Sequence, residues 1–80
     1  MSWHPLDKPS IIAAKATVEQ IEDCLRHSEA SFESQATRLK YYRKVGEPVH
    51  IRRLVSVIEG IEKKIVNLKE ALRLKGMEKS

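Results

Sequence analysis

Val45-Gly46-Glu47-Pro48-Val49 is the stretch on which the fold turns. Glycine suits the left-handed residue that follows a helix end, because it has no Cβ to clash there. Proline suits the first position of a helix, where its missing N–H is not needed and its fixed φ is already helical. Gly46 therefore ends one helix and Pro48 begins another. A connection this short predicts two helices that run antiparallel as neighbours.

Working outward, both flanks carry a seven-residue apolar pattern. Upstream, one set is Ile11, Val18, Leu25, Phe32 and Leu39, and the alternating set is Ala14, Ile21, Ser28, Gln35 and Tyr42. Downstream the sets are Ile51, Ile58, Ile65 and Leu72, then Leu54, Ile61, Leu68 and Lys75. Alternating spacings of three and four are the pattern of helices that pack along a coiled-coil seam. The spacing predicts one helix over about 10–45, started by Pro9-Ser10, a turn at 46–47, and a second helix over about 48–75 closed by Gly76. Residues 10–76 form a single domain on this reading, with an N-terminal tail over 1–9 and a C-terminal tail over 77–80.

The expected fold class is thus all-α: a two-helix antiparallel hairpin, coiled-coil-like. Folding at Gly46 sets Tyr42 near Ile51, Leu39 near Leu54, Phe32 near Ile61 and Leu25 near Leu68. With Ile21, Ile58, Ile65 and Leu72 these residues make the hairpin seam. Ser28 and Gln35 place two polar groups in mid-seam, where such residues can fix register.

A lone hairpin of 80 residues has little core, so reinforcement is expected from elsewhere. Cys24 is the single cysteine, which excludes an internal disulfide and suits a reduced, intracellular, cytoplasmic setting. His4, His27 and His50 share no metal-ligand spacing with it. Oligomerisation or a partner is what remains. Val55 and Val57 flank the seam on opposite sides and widen the apolar stripe beyond what one neighbouring helix covers. Ile11 and Ile12 extend it beyond the reach of the second helix. These four are the expected partner-facing residues, completing a helical bundle with a second copy, a dimer being the simplest closed form, or with helices of another protein.

Charge is concentrated at the turn. Residues 38–53 hold Arg38, Lys40, Arg43, Lys44, Arg52 and Arg53 against Glu47 alone, a net of +5 in a chain whose total is +4. The helix dipole accounts for Arg43 and Lys44 at a C-terminus but disfavours Arg52 and Arg53 at an N-terminus. An acidic partner or nucleic acid is the expected contact for these six. Upstream, Glu19, Glu22, Asp23, Glu29 and Glu33 make the first helix acidic before its basic end. That stretch suits a basic tip from another molecule.

No motif for chemistry is present. The sequence has no Gly-rich phosphate loop, no paired cysteines and no His-Glu-x-x-His run. Two helices enclose no cleft that would tune a carboxylate or exclude water. No catalytic, cofactor or metal site and no small-molecule substrate are expected. No signal peptide and no membrane span are expected either, since no apolar run approaches ~18 residues. The predicted function is a non-catalytic protein–protein interaction module (an adaptor, assembly subunit or small regulator). The alternative is a dimeric four-helix bundle that binds nucleic acid through its basic tip.

Overall fold

The computed structural model describes residues 2–78. It is helical, with α1 over Pro9–Lys15, α2 over Val18–Val45 and α3 over Pro48–Glu78, and has no strand among the described residues. The helix expected over 10–45 is therefore two helices, and its first helical residue is Pro9 rather than Ser10. Gly76 does not close the last helix, which runs on through Glu78. Of the tail expected over 77–80, residues 77–78 continue α3 and 79–80 lie outside the described residues, as does residue 1.

The break between α1 and α2 has a local cause. Ala16 (φ −104°, ψ 149°) and Thr17 (φ −80°, ψ 162°) are both extended. Thr17 Oγ1 accepts from the Gln20 N–H at 3.1 Å, and Gln20 Oε1 accepts from the Thr17 N–H at 3.0 Å. This reciprocal capping box satisfies two amides that a helix start leaves open. Ala16, just before the cap, and Ile21, four residues into α2, are both buried in one cluster, the staple arrangement that fixes the entry angle of the chain. Thr17→Ala is expected to cost about 1 kcal/mol, read as a lower midpoint in urea with unchanged m.

At the other end of α2 the turn is tight. Gly46 is left-handed at φ 75°, ψ 45°, and its N–H donates to the Tyr42 carbonyl at 2.9 Å. The Glu47 N–H shares that carbonyl at 3.2 Å. Helices of 28 and 31 residues would each span more than ~40 Å. The chain measures only 50 × 19 × 16 Å, so α2 and α3 lie side by side rather than end to end.

α1 packs on α3. Trp3, Ile12, Ala13, Ala16, Ile21, Leu68 and Ala71 form the buried cluster. Cys24, Leu25, Leu72 and Leu74 pack against it. The core thus sits at the end away from the turn, where the N-terminal segment makes a third layer. Nearer the turn only Ser28, Leu54 and Ile58 are buried.

Candidate interaction surface

The N-terminal segment is held on α3 by side chains that reach backbone carbonyls. Asn67 Nδ2 donates to Pro5 O at 3.2 Å and to Asp7 O at 3.3 Å. Lys75 Nζ donates to Ala13 O at 2.8 Å. A small turn shapes the segment before α1: the Asp7 N–H donates to His4 O at 2.9 Å, and the His4 N–H donates to Asp7 Oδ2 at 2.8 Å. Partly buried carbonyls without partners would cost more than exposed ones, so Asn67 and Lys75 make the docking specific as well as apolar. The N-terminal segment, expected as a tail, is a structural layer.

This roof covers one side of the α2–α3 seam and only part of its length. Where it stops, at Pro5, a shallow groove continues toward the turn between Ser28, Ser31 and Gln35 on α2 and Val57, Ile61 and Lys64 on α3. On the opposite side of the seam a second groove has Phe32, Ile65 and Val66 beside Glu29, Glu33, Glu62 and Lys69. Both are open to solvent and enclose no site.

Of the four residues expected to face a partner, Ile12 is a correction. It is fully buried beneath the roof, because the break at Thr17 turns α1 back onto α3. Ile11 on the neighbouring face stays exposed at 39%. Val57 is 47% exposed, and Val55 is half-buried. Two further apolar residues of α3, Ala71 and Leu74, are covered by the chain itself, in the region packed by α1. Elsewhere on α3, Val66 is 65% and Val49 63% exposed.

The seam residues divide by position. Ile21, Leu54, Ile58 and Leu68 are buried. Leu25, Phe32, Leu39, Tyr42, Ile51, Ile61, Ile65 and Leu72 are half-buried. Ser28 is buried and Gln35 half-buried, lining the first groove. Two helices can bury only one stripe between them, so a residue beside the seam stays partly wet wherever the third layer is missing.

At the turn, Tyr42 stacks on His50 with ring centroids 4.7 Å apart and 15° between planes. Tyr41 meets Tyr42 edge-on at 5.4 Å. His50 Nε2 lies 3.3 Å from Glu47 Oε2. These contacts tie the end of α2 to the start of α3. Arg38, Lys40, Arg43, Lys44, Arg52 and Arg53 are all exposed around them. None of the six makes an ion pair among the described residues. The ion pairs present elsewhere are local ones, Arg26–Asp23 and Arg73–Glu70. A hydrogen bond from Arg73, with its charge adding to the effect, holds the Glu70 carboxyl below its ordinary range.

No group of three or more His, Cys, Asp or Glu among the described residues is placed to hold a metal ion. No helix among them is long and apolar enough to cross a membrane. Sequence reasoning missed Asn67 and Lys75 as clamps, because nothing local marks a surface amide or a seam lysine as the partner of carbonyls some sixty residues away. Comparison with protein families, curated proteins and solved structures finds no match for this chain.

Proposed function

We propose that this chain is a non-catalytic helical interaction module, an adaptor, assembly subunit or small regulator, that works through its heptad-patterned apolar face as a coiled-coil-like hairpin. One observation carries this reading. The N-terminal segment roofs one side of the helix pair over part of its length, and leaves Phe32, Ile61 and Ile65 half-buried and Val57 and Val66 exposed. A bare apolar stripe beside a finished core suits a helix from a second copy or another protein, laid along the seam.

Val57→Lys and Val66→Lys test it from the two sides of the seam. Both positions are already solvent-exposed, so the melting temperature should stay within about 3 °C of the parent. Association, followed by sedimentation equilibrium, should weaken at least tenfold in one or both. Unchanged association in both variants would remove the reading.

A second reading has its own observation in the six unpaired cations of the turn. Nucleic-acid phosphate would be met there, with Tyr41, 61% exposed, available to stack on a base. Binding of this kind should weaken steeply with salt and fall on replacing Arg52 and Arg53 with alanine.

A further inference from the structure

We infer that the apolar face described above is completed by a second copy of this chain, laid antiparallel along a self-complementary charged stripe of α2; the inference rests on the interaction-module reading and names its partner. The stripe is Glu29, Glu33, Ala36, Lys40 and Arg43, spaced three and four residues apart and so aligned on one helix face. It borders the groove of Phe32, Ile65 and Val66, across the seam from the groove that begins at Pro5.

Within one copy the stripe is badly arranged. Glu29 and Glu33 are four residues apart, as are Lys40 and Lys44, and Lys40 and Arg43 are three apart. Like charges at these spacings repel along a helix, whereas opposite charges would attract. Glu29, Glu33, Lys40 and Arg43 are all exposed, and none has an ion-pair partner among the described residues. The helix dipole accounts for Arg43 in the last turn, but it reaches neither the paired acids Glu29 and Glu33 in mid-helix nor Lys40.

A two-fold axis through Ala36 turns the same order into attraction. Glu29 and Arg43 lie seven residues either side of Ala36, about 10 Å along the helix. In an antiparallel pair each Glu29 therefore meets the Arg43 of the other copy. Glu33 and Lys40 lie three and four residues from Ala36, a mismatch of about 1.5 Å that a lysine stem absorbs. Ala36 itself is small where the helices cross most closely. Every interaction occurs twice, and the surface is its own complement, as a closed two-fold dimer requires. The acidic half of each copy neutralises the basic turn of the other, which also supplies Lys40 and Arg43 with the partners they lack. The flanking Phe32, Ile65 and Val66 come under cover in the same step, and Asn67 and Lys75, which hold the roof, lie outside that groove.

The experiment is charge reversal with rescue. Solution mass by light scattering, across concentration at low and high salt, is compared for the parent, Glu29→Arg, Arg43→Glu and the double reversal. Twice the 9.2 kDa chain mass is expected for the parent at low salt. Each single reversal acts twice per dimer and should raise the dissociation constant at least roughly tenfold, with helix content unchanged. The double reversal restores opposite signs and should recover the dimer. A parent that is monomeric at every concentration overturns the pairing, as do singles without effect or a double that fails to recover. Arg43→Glu that leaves the mass unchanged yet abolishes binding of a fluorescent RNA oligonucleotide also overturns it, and assigns the turn to nucleic acid. A parent that dimerises yet ignores both single reversals overturns the pairing alone, because weakened association in Val57→Lys would still support the interaction-module reading; the two therefore fail separately.

Discussion

Leu68→Asp should leave the chain without a cooperative fold. Leu68 is fully buried, and its cluster includes residues of α1, α2 and α3. Shortening such a side chain already costs about 2 to 5 kcal/mol. The carboxylate adds several more for desolvation, because a cluster of Trp, Ile and Ala offers it no cation. Lys75, seven residues along the same helix face, is already engaged by the Ala13 carbonyl. The sum is comparable to the whole stability of a small domain. Far-UV circular dichroism should show most of the helix lost at 25 °C, with no sigmoidal melt. Ser56→Asp, at an exposed position of the same helix, is the control and should melt like the parent. A folded Leu68→Asp protein with a melting point within a few degrees of the parent would mean that this cluster is not the core.

Trp3→Ala is expected to have the next largest effect, and a different character. Trp3 is 7% exposed yet precedes the first helix. Truncating a buried aromatic costs about 3 to 5 kcal/mol, or roughly 12 °C or more of melting temperature in a chain of this size. The loss is capped, however, by the free energy that docks the N-terminal segment at all. Once that is exceeded, the segment undocks and further damage to it has no effect. Hydrogen exchange should distinguish the two cases. In Trp3→Ala, amides of α1 should exchange far faster than in the parent, while those near Leu54 and Ile58 change little. Equal acceleration along the whole chain would show that roof and helix pair unfold as one unit.

Much of this was legible in the residues. Gly46 and Pro48 announce the turn because each has a backbone property that few residues share, and both occupy the predicted places. The all-helical class follows from the apolar spacing. The break at Thr17 was equally written, as Thr17-x-x-Gln20, but the apolar repeat runs straight across it from Ile11 and Ala14 to Val18 and Ile21. Periodicity reports which face is apolar. It does not report whether the backbone is continuous, and here a pair of side-chain hydrogen bonds decided the matter. The off-pattern residues Ile12, Ala13 and Ala16 were the available clue, since a single straight helix leaves them no surface to meet. Gly76 misled for the opposite reason. Glycine permits a helix to stop but does not require it, and among the described residues only Gly46 takes a positive φ. Of the candidate surface, the basic cluster at the turn needed only counting. The clamps at Asn67 and Lys75 depend on where distant carbonyls arrive, which no local pattern encodes.

Those clamps bear on the order in which the molecule is made. α2 and α3 are joined by a two-residue connection, so their contacts nearest the turn close short loops and can form early. Asn67 and Lys75 hold carbonyls 60 to 62 residues away in sequence, among the last loops to close. On a ribosome, synthesis runs from the N-terminus, so residues 3–16 emerge before α3 and wait for it as their docking surface. Trp3 and Ile12 remain wet through that interval. The single tryptophan of the chain thus rides on the segment that docks last, and its burial marks the completion of folding rather than its onset.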